Sequence, residues 1–131
     1  MSGSVVRESV TVAGRPERAR LARAFVGSVL GPGHPCGDEA ALLAGELFGN
    51  SVRHSRSGRL GETVTVAVKA GNGVVRVEVI DRSGPGMPKL QPADRDAEGG
   101  RGLHLVAGLA ARWGWRRRGG RTVTWFELRP D

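Results

Sequence analysis

Residues 63–81 read TVTVAVKAGNGVVRVEVID. Val64, Val66 and Val68 alternate with Thr63, Thr65 and Ala67, and Val75, Val77 and Val79 alternate with Val74, Arg76, Glu78 and Ile80. Successive side chains of a strand point to opposite faces, so this pattern marks two strands with one face buried. Ala70-Gly71-Asn72-Gly73 between them is a hairpin signal, because Asn-Gly tolerates the positive backbone angles of a tight turn. The stretch predicts an antiparallel hairpin that delivers Asp81 at a strand end.

Towards the N-terminus the period changes. Leu21, Phe25 and Val29 recur at helical spacing, with Ala22, Val26 and Leu30 beside them and Arg18, Arg20 and Arg23 largely off the stripe. This predicts an amphipathic helix, with Pro16 suited to its first turn. Gly31-Pro32-Gly33-His34-Pro35 stops it, and a second helix follows, capped by Asp38 and burying Ala40, Leu43, Ala44, Leu47 and Ser51. Val5, Val6, Val10 and Val12 predict an edge strand before the first helix. His34 reads as a loop residue, and Cys36 as a buried or bystander thiol.

Towards the C-terminus, residues 81–100 are rich in Gly, Pro and charge, longer than an ordinary connection and of the length of a lid or binding loop. Residues 103–111 predict a helix with Leu103, Val106, Ala107 and Ala110 inward. Residues 112–118 and 122–128 predict two more strands joined at Gly119-Gly120, in which Trp113, Trp115 and Trp125 serve core or interface. Helices and hairpins are thus segregated. That order predicts an α+β two-layer sandwich, with helices on one face of a mixed, mostly antiparallel sheet, and excludes a doubly wound parallel sheet. The 131 residues form one expected domain, without repeat or linker.

Composition narrows the function. The net charge is +7, from 20 basic and 13 acidic residues, and all the basic ones except Lys69 and Lys89 are arginine. A basic balance suits nucleic acid, phosphate-rich ligands or an acidic protein. The scatter of the arginines makes nucleic acid the poorest of these fits, the Arg116-Arg117-Arg118 run reading as a solvated strand end or a dock for an acidic partner. One cysteine excludes a disulfide framework and a multi-cysteine zinc site. There is no readable secretory signal and no membrane-length apolar run, so the expected compartment is the cytoplasm.

Three segments carry chemistry. On the second helix Glu46, Asn50, Arg53 and His54 form a polar stripe beside Leu43 and Leu47. An amide oxygen there can ligate Mg²⁺, and a carboxylate one turn earlier can take a proton from a hydroxyl. A solvated helix face fits the same stripe. Asp81 can accept a hydrogen bond from an adenine amino group, with Gly84 and Gly86 just beyond it. Gly99, Gly100 and Gly102 open a helix, whose free N–H groups attract phosphate. The Gly pattern is neither a dinucleotide fingerprint nor a Walker A loop, since Pro85 and Pro88 flank Gly84 and Gly86 and no Gly-Lys-Ser/Thr occurs.

In this order the three segments resemble the ATP-binding domain of the GHKL (Bergerat-fold) superfamily, and more narrowly its anti-sigma-factor serine/threonine kinase branch. The resemblance runs from about Val12 to Leu128. Glu46, Asn50 and His54 match the N box, Gly100-Arg101-Gly102-Leu103 the second glycine box, and Gly120-Arg121-Thr122-Val123 the final Gly/Thr box. It implies ATP and Mg²⁺ as ligands, Asn50 as the Mg²⁺ residue and Glu46 as general base. Asp81 would read adenine with Thr122 nearby, and Gly84 and Gly86 would shape the adenine side. Gly100 and Gly102, within the Gly100–Leu103 box, would bind phosphate. Arg53 and His54 would steady phosphate or pack beneath it, and residues 87–99 would form the lid. It further implies a sigma factor and an antagonist protein as partners, and a homodimer.

One departure stands out. The family's first glycine box reads Asp-x-Gly-x-Gly, whereas Ser83 and Pro85 hold the glycine positions here and the glycines come one place later. Either the loop has an extra residue or the pocket is remodelled. The sequence therefore supports a Mg-ATP-dependent kinase that phosphorylates Ser or Thr on an antagonist and sequesters a sigma factor, with a non-catalytic ATP-sensing module of the same fold as the alternative. A scaffold without nucleotide is the third reading.

Overall fold

The computed structural model describes residues 5–54, 61–82, 106 and 108–130. Its order is β1 (Val6–Ala13), α1 (Ala19–Leu30), α2 (Gly37–His54), β2 (Thr63–Gly71), β3 (Val74–Arg82), β4 (Arg112–Arg118) and β5 (Arg121–Leu128). The sheet order is β1-β2-β3-β5-β4, and each described ladder is antiparallel. The α+β sandwich holds, with both long helices on one face, and the expected mixture of strand directions is antiparallel throughout the described pairs.

Local chemistry sets the boundaries. Pro16 opens a single 3₁₀ turn, Pro16–Arg18, that leads into α1. Gly31 ends α1 at φ 88°, where its N–H still reaches the Gly27 carbonyl at 2.9 Å. The second helix starts one residue before the expected cap: the Ala40 N–H donates to the Cys36 carbonyl at 2.8 Å, which leaves Asp38 and Glu39 inside the first turn. There they face the positive end of the helix dipole. The loop role expected of His34 is met, since its Nδ1 accepts the Cys36 N–H at 3.0 Å. Asn72 and Gly73 (φ 55° and 76°) close the β2–β3 hairpin, and Gly119 and Gly120 (φ 56° and 79°) close β4–β5. Positive φ at both central residues twists the turn in the sense the strands need.

The core lies between the helices and one sheet face. Val64, Val66, Val68, Val75, Val77, Val79 and Phe126 meet Val26, Leu43, Leu47 and Phe48, all at most 2% exposed. Full burial of each such side chain contributes roughly 1.5–3 kcal/mol. The buried stripe of α1 is narrower than the sequence suggests. Ala22 and Val26 are inside and Phe25, Val29 and Leu30 half-buried, but Leu21 is 41% exposed. It falls on the edge of the arc that α2 and the sheet can cover. The two helices approach closely at Gly45, where an added Cβ would lie 2.8 Å from the Arg23 Cγ. Near the C-terminal end of the expected third helix, Val106, Gly108 and Leu109 are helical and Val106 is fully buried. No helix among the described residues is long and apolar enough to cross a membrane.

Candidate functional site

Strand parity and ladder register put Asp81 of β3 opposite Thr122 of β5, and Arg117 of β4 opposite Thr122, all on the helix-covered face. Asp81 and Thr122 are each 4% exposed. The last turns of α2 pass over Asp81, where the Ser51 hydroxyl donates to Oδ2. The other oxygen, Oδ1, is buried and has no hydrogen-bond partner among the described residues. A buried, unpaired carboxylate oxygen costs roughly 1–3 kcal/mol or more, so such an atom calls for a donor from ordered water, an ion or a ligand.

The electrostatics follow from that burial. Desolvation pushes the Asp81 carboxyl up to about 6, against the opposing pull of the Ser51 hydroxyl and of the Arg117 guanidinium. At neutral pH the group is still mainly an acceptor, held ready at high local cost.

The N-box stripe is divided by depth. Asn50 is 7% exposed, Glu46 one turn earlier is half-buried, and Arg53 is exposed. The Arg53 guanidinium folds back over its own helix, 3.5 Å from where a Cβ on Gly49 would stand. His54 closes the helix, and its side chain lies outside the described residues, as do Gly84, Gly86, Gly100, Arg101, Gly102, Leu103 and the lid at 87–99. The described structure thus brings together Asp81 and Thr122, and ties them to α2 one residue beyond Asn50.

Two side chains near Asp81 were not singled out by sequence. Ser51 read as one more member of the buried stripe of α2, although a hydroxyl at an inward position signals a polar partner across the core. Arg117 read as part of a solvated strand end, and it is exposed there, while its parity also aligns it with the row of Asp81.

Among the described residues no cluster of three or more His, Cys, Asp or Glu could hold a metal. The Asn50 amide oxygen fits Mg²⁺ as a single protein ligand, since this ion takes one or two such ligands and fills the rest of its shell with phosphate and water. A hollow of about 430 Å³ is lined by Arg7, Lys69, Arg76 and Glu78 on the opposite, uncovered side of the sheet, away from Asp81.

Two long helices packed on one face of an open five-stranded antiparallel sheet match the architecture of the GHKL-like fold. Residues 12–128 match the histidine kinase-like ATPase domain family, and the chain belongs to that family. A crystal structure of the RsbU and RsbW domains of Rv1364c from Mycobacterium tuberculosis is similar at TM-score 0.70 and 21% identity, covering 95% of this chain and 32% of that one. The histidine kinase domain of a blue-light activated histidine kinase from Erythrobacter litoralis is similar at TM-score 0.55 and 21% identity, covering 88% and 60%. The chain therefore spans about a third and under two thirds of their respective lengths. Curated protein sequences contain no match.

Proposed function

We propose that this chain binds Mg-ATP and transfers the terminal phosphoryl group to a Ser or Thr hydroxyl of an antagonist protein, and that it controls transcription by sequestering a sigma factor. The observation that carries the nucleotide reading is the partnerless, buried Oδ1 of Asp81. An adenine amino group supplies the donor this atom lacks. Guanine presents a carbonyl at the same position and would set acceptor against acceptor, so the site selects adenine. Thr122, directly opposite, borders the same edge of the base.

Asn50 would hold Mg²⁺, and Gly100 and Gly102 would offer backbone N–H groups to the phosphates, with Arg101, Leu103, Arg53 and His54 around them. When bound there, Mg²⁺ would supply neutralisation of the charge that develops on the phosphoryl group. Glu46 accepts the proton of the acceptor hydroxyl. Its place one turn before a buried amide lets it reach a solvent-borne protein substrate while Asn50 stays inside. Gly84 and Gly86 shape the adenine side, and residues 87–99 close over the nucleotide. Family membership supports the fold and the ATP reading. A homodimer and the cytoplasm fit the same reading.

The displaced glycines at Ser83–Gly86 favour one competing reading, an ATP-sensing module of the same fold without transfer activity. Incubation with γ-labelled ATP and candidate antagonist proteins separates the two. For the kinase, label moves to the antagonist and falls by roughly 10²–10⁴ in Glu46→Ala while ATP still binds. Tight ATP binding without any transfer marks the module. No thermal shift at millimolar Mg-ATP, where a bound ligand must stabilise by mass action, removes both.

A further inference from the structure

The face of the sheet turned away from the helices is hollowed at one corner. Arg7 of β1, Lys69 of β2 and Arg76 of β3 stand in one row across three adjacent strands, directly opposite one another. The next row on this face is Ser9, Ala67 and Glu78. Neighbouring strands lie about 4.8 Å apart, so three long cationic side chains rise beside the short ones of Ser9 and Ala67. That step in side-chain length opens the hollow of about 430 Å³ that the two rows line. Glu8 and Val68 border it as well, but their parity sends their side chains to the helix face.

The three cations are not equivalent. Arg76 is held on three sides: its Nε donates to Glu78 at 3.0 Å, its Nη1 donates to Glu127 at 2.8 Å, and its guanidinium lies 4.1 Å from the Trp125 ring centroid. It is a fixed wall whose charge Glu78 and Glu127 already answer. Arg7 and Lys69 are exposed and make no ion pair among the described residues. Like charges directly opposite one another on a sheet are destabilising. Here the two unanswered cations flank the hollow, with the Ser9 hydroxyl beside them.

We propose that this hollow binds a small molecule bearing a phosphate monoester, at a site separate from that of the nucleotide. Arg7 and Lys69 take the phosphate oxygens and the Ser9 hydroxyl donates to one of them. The body of the ligand lies over Ala67, against the wall made by Arg76 and Glu78. A phosphate monoester carries close to two negative charges at neutral pH and three acceptor oxygens, which match two free cations and a hydroxyl. A single carboxylate would answer only one of the cations. Small-ligand pockets span about 300–1,000 Å³, a range that includes this hollow. The inference is independent of the nucleotide reading, since Arg76 and Asp81 stand on opposite faces of β3 and towards its opposite ends.

The test titrates the full, isotope-labelled chain with glycerol 3-phosphate at constant ionic strength and follows the backbone amides by two-dimensional NMR. Expected are saturable shifts at residues 7–9, 67–69 and 76–78. The binding they report should weaken about tenfold or more in Arg7→Gln/Lys69→Gln, the loss of charge-assisted hydrogen bonds, and stay unchanged in Arg20→Gln on α1. Circular dichroism melts confirm folding, and Lys69→Gln alone replaces the double variant if that one unfolds. Four results overturn the proposal: no saturable shift up to about 10 mM, a concentration well above a millimolar dissociation constant; equal binding by the substituted chain; the same shifts from sodium chloride or from succinate at equal concentration; or shifts confined to the row of Asp81 and Thr122.

Discussion

Asp81-Thr122-Arg117 and Arg82-Arg121-Arg118 are neighbouring rows on the same three strands, one residue apart and on opposite faces. The first row begins under α2 at Asp81 and runs out to the exposed Arg117. Its acid is desolvated, bound on one side to Ser51 and left open on the other. The second row faces solvent, and its arginines keep their charges at little cost. The backbone is the same for both, so the difference comes from what covers each face. Burial turns a carboxylate into a reader of one missing donor, whereas exposure turns cations into a broad electrostatic surface.

The contrast is sharpened most by truncating adjacent residues of β5. Phe126 is fully buried on the inner face, and Trp125 is half-buried on the outer one under the Arg76 guanidinium, 4.1 Å from its ring centroid. Phe126→Ala should lose about 3–5 kcal/mol of stability by urea unfolding, and Trp125→Ala about 1–2 kcal/mol, a lost cation–π contact and part of its area. Equal losses would mean that the outer face is covered as fully as the inner one.

Next in size is the ligand role of Asp81. Asp81→Ala should lower ATP affinity roughly 10–100-fold in calorimetric titration, the value of a hydrogen bond to a charged group. GTP, which would meet acceptor against acceptor at the same carboxylate, should lose no affinity in this variant.

A smaller effect concerns pH. Asp81 titrates at about 6 when folded against 3.8 for the ordinary group, so between these values the folded chain holds more protons than the unfolded one. Its contribution is therefore full below pH 4 or so and is lost as pH rises through about 6. Asp81→Asn mimics the protonated form while Ser51 can still donate to it. It should come close to the wild type near pH 4 and exceed it by about 2–3 kcal/mol at pH 7.5. An unchanged difference between the two across that range would show that the carboxyl is not desolvated. ATP affinity of the wild type should fall on the acid side of pH 6, as the acceptor is neutralised.

Least of all should matter the Arg82–Glu62 pair on the exposed side, whose side chains are 57% and 30% accessible. Glu62→Gln should change stability by roughly 0–1 kcal/mol. A larger loss would give the outer row a structural duty.

Legibility in the sequence followed the range of the interactions. The β2–β3 hairpin could be read because alternation and an Asn-Gly turn are local. The pairing of Asp81 with Thr122 could be anticipated only through family resemblance, since neither residue specifies its neighbour across strands so distant in sequence. Leu21 was misplaced because a period of 3.6 fixes a stripe but not the width of the arc that its neighbours will cover. Ser51 looked like a small core residue until α2 was laid over β3.

The chain alone determined which segments are helix or strand, where they turn, and which residue types stand at the ends of β3 and α2, because each of these depends on neighbours within a few positions. The docking of α2 on one face of the sheet was decided in three dimensions. Only that step made one face dry and left the other wet, and so gave Asp81 its unanswered oxygen and the arginines of the next row their open field.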